Sequence, residues 1–141
     1  MRFLLLLPIL MACQTAPKPA PIVSEPPVVL TDLITLETSP KANVFSVARG
    51  SSQTLTVTGK LLSPAAKKIK ISISGSSGVE ITPKDIVLVG NTSADFVVSV
   101  PTNATNDRPF FRVNGQALDN NDNPVVSNTP SILFQWTVPA P

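Results

Sequence analysis

The stretch Lys68-Ile69-Lys70-Ile71-Ser72-Ile73-Ser74 alternates strictly between polar and apolar residues. Successive side chains of a β-strand point to opposite faces of a sheet, so this period of two predicts a strand with one buried and one wet face. Lys68 and Lys70 fall on the wet face. Lysines there are typical of strands that avoid edge-to-edge aggregation, and attraction to anionic headgroups or envelope polymers is the alternative.

The same alternation recurs from Leu30 onward, in segments separated by Gly-, Asn- and Pro-rich turns. We see no helical periodicity of any length. About eight strands over about 109 residues are typical of an antiparallel β-sandwich, so the expected fold class is all-β. The strand candidates are 54–58, 68–74, 85–89, 95–100, 110–114 and 131–138, with weaker ones at 33–36 and 44–47.

A family resemblance extends over about 43–138. Residues 78–88 and 90–101 look like the second half of bacterial immunoglobulin-like modules, in which a strand ends in x-Pro, the next ends in Gly and a long strand closes on Val-Pro. Residues 116–125 are similar to the hairpin near the end of such modules, with Asp122 where Gly is usual. The resemblance implies an immunoglobulin-like antiparallel sandwich of seven or eight strands, and it implies no activity, because this fold hosts many functions.

The first 13 residues have the order of a secretion signal: Arg2, an apolar run and a small residue before Cys13, the only cysteine. The apolar run is about half the roughly 20 residues that a bilayer-spanning helix needs. Leu10-Met11-Ala12-Cys13 resembles the lipobox of bacterial lipoproteins. That resemblance implies removal of the signal peptide 1–12 and diacylglycerol on the Cys13 sulfur, with acylation of the new amino terminus. An ordinary cleaved signal with an incidental cysteine is the alternative.

Residue 14 bears on the destination of such a lipoprotein. An Asp directly after the cysteine resembles an inner-membrane retention mark, and here the residue is Gln14. The resemblance therefore favours the outer membrane, with the domain either periplasmic or surface-exposed.

The segment 13–30 is predicted to be a tether that carries the lipidated cysteine. Five prolines between Thr15 and Val29 favour an extended polyproline II form, which rises about 3.1 Å per residue and reaches roughly 50 Å over 16 residues. A docking motif for an aromatic-lined groove is the other interpretation. The expected organisation is therefore a signal peptide at 1–12, an anchored tether at 13–30 and a sandwich at 31–139.

Composition argues against several classes of protein. The chain has 141 residues and a formal net charge of +2, which gives one domain and no basic footprint for nucleic acid. With one cysteine, the fold has no internal disulfide. The absence of histidine removes the commonest base for a serine nucleophile. We expect that the protein is not an enzyme and that it binds no cofactor and no small-molecule ligand.

One strand candidate carries the best surface for contacts. If Phe111 and Val113 face inward, the opposite face presents the candidate contact patch of Phe110, Arg112, Asn114 and Gln116. Burial of Phe110 under a loop at the end of the strand is the alternative. Trp136 shares parity with the apolar residues of the last strand. Core packing is the favoured interpretation for it, and a sugar-stacking platform is the alternative.

Residues 119–123 place oxygen side chains at alternate positions. Asp119, Asn121 and Asn123 resemble the first half of a calcium loop, but Pro124 and Pro130 stand where that pattern needs Gly and Glu. A hairpin tip rich in Asx-turns is expected, with no metal, and a cation site at these three residues is the alternative.

Together these observations predict a non-catalytic envelope lipoprotein. It would be attached to the membrane through lipid on Cys13, and its domain would bind an envelope protein or serve envelope assembly. A carbohydrate-binding module for cell-wall or capsule glycans is the alternative from a different class. It depends on surface aromatics, for which Trp136 and Phe110 are the candidates.

Overall fold

The computed structural model describes residues 27 and 29–139. The expected signal peptide, Cys13 and most of the tether lie outside these residues. The secondary structure of this described part consists of eight strands: β1 (Ile34–Ser39), β2 (Ser51–Leu61), β3 (Lys68–Ser77), β4 (Glu80–Thr82), β5 (Asp85–Val89), β6 (Thr92–Val100), β7 (Phe110–Leu118) and β8 (Ser131–Gln135). Within the described residues, no helix is long and apolar enough to cross a membrane.

The strands form two four-stranded sheets, in the orders β1-β2-β6-β4 and β5-β3-β7-β8. All strand pairs are antiparallel. The chain changes sheets between β4 and β5, because β4 pairs with β6 whereas β5 pairs with β3. The expected all-β sandwich is confirmed.

Most of the expected strands are present, although β8 ends at Gln135 and not at residue 138 as expected, and two further differences have physical causes. The segment 44–47 forms no strand, although its Phe45 and Val47 are buried. Its alternation therefore reflects a loop whose apolar side chains close one end of the core. β4 was not among the expected strands, because its three residues are too short to show a period of two.

The core lies between the inner faces of the two sheets. Ile69 and Ile71 of β3 are fully buried, as the alternation of that strand predicts. An aromatic cluster of Phe45, Phe111, Phe134 and Trp136 fills one end. Phe111 and Phe134 stack with centroids 4.7 Å apart, and the ring of Phe45 meets that of Trp136 edge-on at 5.3 Å. Offset and edge-to-face contacts of this kind stabilise a core beyond area burial alone.

The interpretation that Lys68 and Lys70 lie on an edge strand and prevent edge-to-edge aggregation is wrong. β3 lies between β5 and β7, and both of its sides are paired. Lys68 instead donates to Asp122 Oδ1 at 2.8 Å and to the Asn120 carbonyl at 3.3 Å. It therefore ties the central strand to the β7–β8 loop.

The two ends of the sandwich carry different loops. The proximal end consists of residues 29–33, the β2–β3 loop (62–67), residues 90–91 and the β7–β8 loop (119–130). The distal end consists of the β1–β2 loop (40–50), the β3–β4 turn (78–79), the β6–β7 loop (101–109) and residues 136–139. Since Val138 N donates to the Asp107 carbonyl at 2.8 Å, the described chain begins at the proximal end and finishes at the distal end.

Candidate functional site

The candidate contact patch lies on the outer face of the second sheet. Phe110, Arg112, Asn114 and Gln116 alternate along β7, which is a central strand between β3 and β8. Arg112 is exposed, and the other three residues are half-buried. The structure thus brings the four residues onto one face, but on a broad surface rather than in a cleft.

Two of these side chains are engaged within the sheet. Asn114 Nδ2 donates to Ser74 Oγ at 2.7 Å, and Asn114 Oδ1 accepts from Ser131 Oγ at 2.9 Å, so this amide links β3, β7 and β8. Phe110 lies beside Gly75, whose Cβ position is 3.8 Å from the ring. The register between β3 and β7 shifts between Ser74 and Ser77, which places Phe110 opposite Ser77.

The loop 119–123 uses its own oxygen atoms as hydrogen-bond acceptors. Asp119 Oδ1 accepts from the backbone N–H groups of Asn121 at 2.8 Å and Asn123 at 2.9 Å. The Asn123 N–H lowers the pKa of Asp119 below its ordinary value, with smaller contributions from Asn121 and from Lys68. Asp122 adopts a positive φ of 64°, the conformation for which Gly is the usual residue.

A metal ion in the described part of the chain would need several ligating side chains gathered in one place. No group of three or more His, Cys, Asp or Glu residues there could hold an ion. The carboxylate of Asp119 faces the backbone of its own loop, as in an Asx-turn.

Trp136 is a core residue. It is 8% exposed, and its Nε1 donates to the Val47 carbonyl at 2.9 Å. This confirms the favoured interpretation and removes Trp136 from any sugar-stacking surface. The hydrogen bond also fixes the β1–β2 loop, because a buried indole N–H needs a partner.

Sequence reasoning missed a cleft at one open side of the sandwich. β1 and β8 are edge strands of different sheets, and the space between them has a volume of about 440 Å³. Half-buried Leu36 and Ile132 line it together with Glu37, Thr38 and Lys41. We call it the edge groove. Its signal in the sequence is weak, because alternation identifies strands without saying which ones lie at an edge.

Comparison with known proteins bears on the fold only. No family model matches this sequence, and no curated protein matches it. Among solved structures, the E. coli chaperone DraB shares 14% identity and a TM-score of 0.50, over 79% of this chain and 57% of that one. The periplasmic chaperone SfaE shares 15% identity and a TM-score of 0.46, over 74% and 56%.

A third solved structure, a chaperone–tip adhesin complex of CFA/I fimbriae biogenesis, shares 15% identity and a TM-score of 0.45, over 76% and 57%. The chain therefore spans little more than half the length of the chains it matches. The likeness to DraB, together with the two antiparallel sheets, shows an immunoglobulin-like β-sandwich.

Proposed function

We propose that this protein is a non-catalytic lipoprotein of the bacterial envelope, anchored through Cys13, whose immunoglobulin-like domain binds another envelope protein. The lipobox supports the anchor, and Gln14 supports the outer membrane as its location. One structural observation carries the binding role: β8 has an open edge, and that edge borders the edge groove.

The backbone of β8 has hydrogen-bonding groups that face away from the sheet. Gly115 N donates to the Pro130 carbonyl and Trp136 N to the Pro109 carbonyl, which sets the alternation of the β7–β8 ladder. Ile132 and Phe134 therefore bond to β7, while the backbone groups of the residues between them point outward. Within the described residues, the outward groups of Ser131, Leu133 and Gln135 have no backbone partner.

The edge groove would receive the side chains of a strand added to that edge. Such a strand gains main-chain hydrogen bonds from β8, and its alternate side chains fit pockets that give specificity. Leu36 and Ile132 offer an apolar floor for them, and Glu37 and Lys41 offer charges of both signs. The position of the groove beside the open edge is what favours strand addition over contact through the patch on β7.

Two further considerations support this role. DraB, which shares the fold, is described as a chaperone, a class of protein that acts on other proteins. The sequence has no histidine, so the usual base for nucleophilic catalysis is missing. The carbohydrate-binding alternative has lost its main aromatic candidate, because Trp136 is buried.

The test uses two matched proline variants of the full chain in the source bacterium. Leu133 and Val87 are the central residues of the five-residue edge strands β8 and β5, with exposed fractions of 41% and 44%. Both N–H groups point away from the sheet, so proline removes no ladder bond at either site. We expect Leu133→Pro to lose a chemically crosslinked protein partner that Val87→Pro retains.

Equal capture by both variants would contradict binding at β8. The anchor is tested separately by the intact mass of the membrane-extracted protein. We expect residues 1–12 to be absent and the mass to include acyl chains on Cys13; an unmodified cysteine contradicts the anchor.

A further inference from the structure

Among the described residues, the loops at the proximal end of the sandwich carry more exposed aliphatic side chains than the loops at the distal end. Val29 is 81% exposed, Leu30 45%, Leu62 55% and Val126 79%. At the distal end, the one large apolar residue exposed among those the structure describes is Val44, at 68%. We call the four proximal residues the apolar cap.

Backbone hydrogen bonds hold the segments of the apolar cap together. Leu62 N donates to the Leu33 carbonyl at 2.8 Å, which joins the β2–β3 loop to the start of the domain. Asn128 N donates to the Thr31 carbonyl at 3.1 Å, and its side chain donates to the Leu30 carbonyl at 3.3 Å. The apolar side chains of three separate segments therefore share one end of the molecule.

The charges around the apolar cap do not favour an ionic partner. Asp32 accepts a hydrogen bond from Asn128 at 2.9 Å, and Asp122 is paired with Lys68. Lys67 is exposed at the same end. Aliphatic side chains with a lysine at their margin suit the boundary between lipid headgroups and acyl chains, where binding scales with buried apolar area.

The short connection to Cys13 favours a bilayer over another apolar partner as the surface that the apolar cap contacts. The tether joins the domain at this end, and about 16 residues separate Cys13 from Val29, a reach of roughly 50 Å in polyproline II form. An anchor on Cys13 would hold the apolar cap at high effective concentration near the lipid, so that a weak contact suffices.

We infer that the apolar cap rests on the bilayer surface, with the distal end directed away from it. This inference rests on the proposed lipid anchor at Cys13. It orients the open edge of β8 along the membrane normal, where a partner can reach it.

The test compares single cysteines at the two ends of the lipidated full-length protein. Val126→Cys lies in the apolar cap, and Val44→Cys is its matched control, since both positions are exposed valines in loops. A lipidated Cys13 has no free thiol, so a bimane label reacts at the introduced cysteine alone. The labelled proteins are reconstituted into phosphatidylethanolamine vesicles with a minor share of phosphatidylglycerol, with and without brominated acyl chains.

We expect bimane at position 126 to emit further to the blue and to lose intensity with brominated lipid, while bimane at position 44 changes in neither respect. Adding Leu62→Glu to the Val126→Cys protein should reduce that loss, with the emission of buried Trp136 unchanged as a check of folding. A blue shift without quenching by bromine indicates a protein contact and overturns the inference.

Two further outcomes distinguish a failure of the proposed anchor from a failure of the proposed membrane docking. If the parent protein does not react with the label and neither position is quenched, the anchor stands and membrane docking is wrong. If Cys13 of the parent protein reacts, the anchor is wrong and the docking inference falls with it.

Discussion

Trp136 joins two parts of the molecule that are far apart in sequence. Its ring packs against Phe45 and Phe111, and its Nε1 binds the Val47 carbonyl. The parity of the expected strand 131–138 was enough to predict burial of Trp136, although Trp136 directly follows β8. The hydrogen bond to a loop 89 positions earlier could not be predicted, because it depends on how the β1–β2 loop folds over the core.

We predict that Trp136→Ala lowers the free energy of unfolding by about 3–5 kcal/mol, the usual cost of truncating a large buried aromatic side chain. Trp136→Phe keeps most of the apolar volume and should cost less. Urea unfolding followed by far-UV circular dichroism measures both variants. A Trp136→Ala protein as stable as the parent would show that the ring is not part of the core.

At the scale of single elements, the paired strands β1 and β2 show how a neighbouring charge changes the pKa of a carboxyl group. Lys60 Nζ donates to Glu37 Oε1 at 2.8 Å on the exposed face of this ladder. The hydrogen bond and the charge of Lys60 hold the pKa of Glu37 below its ordinary value of 4.5. A lowered carboxyl pKa gives stability that is present above the ordinary value and is lost as pH falls through the lowered one.

We predict that Lys60→Gln raises the pKa of Glu37 back toward its ordinary value, since the ammonium that donates the hydrogen bond and carries the charge is replaced by a neutral amide, a weaker donor. An NMR titration of the Glu37 carboxyl group measures this. Lys67→Gln serves as the control. Lys67 is a lysine at the proximal end, and it is not among the groups that shift the pKa of Glu37. An unchanged titration of Glu37 in Lys60→Gln would mean that the pair does not form in solution.

At the scale of elements, the alternation in the sequence predicted where the strands lie but not which strands pair with one another. β5 was predicted with its observed bounds, and the alternation in β3 correctly placed Ile69 and Ile71 inside. Yet Lys68 and Lys70 were assigned to an edge, because the wet face of a central strand and that of an edge strand look alike in one sequence. For the same reason, neither the open edge of β8 nor the edge groove could be predicted: both depend on strand order.

At the scale of the whole molecule, the stability of the fold depends on how closely its two sheets pack. Gly59 of β2 faces the second sheet, and a Cβ atom there would lie 2.6 Å from Ile69 Cδ1 and 3.1 Å from Leu88 Cδ1. A side chain at this position must displace core residues of the opposite sheet, so its effect reaches both sheets at once.

We predict that Gly59→Val lowers the free energy of unfolding by about 1–3 kcal/mol, the usual cost of overpacking. Thr54→Val is the control, because it adds a valine to the exposed outer face of the same strand. Guanidinium unfolding, followed by Trp136 fluorescence and by circular dichroism, measures both. Equal stability of the two variants would show that the sheets separate here without cost.

The opposite placement of residues 29 and 139, the two ends of the continuous described stretch, has a mechanical consequence. β1 and β8 both run from the proximal to the distal end, so tension applied between residues 29 and 139 acts along the strands rather than across them. Hydrogen bonds of the β1–β2 and β7–β8 ladders then share the load in shear instead of opening one after another. A force applied between residues 29 and 139 would therefore meet a stiff link.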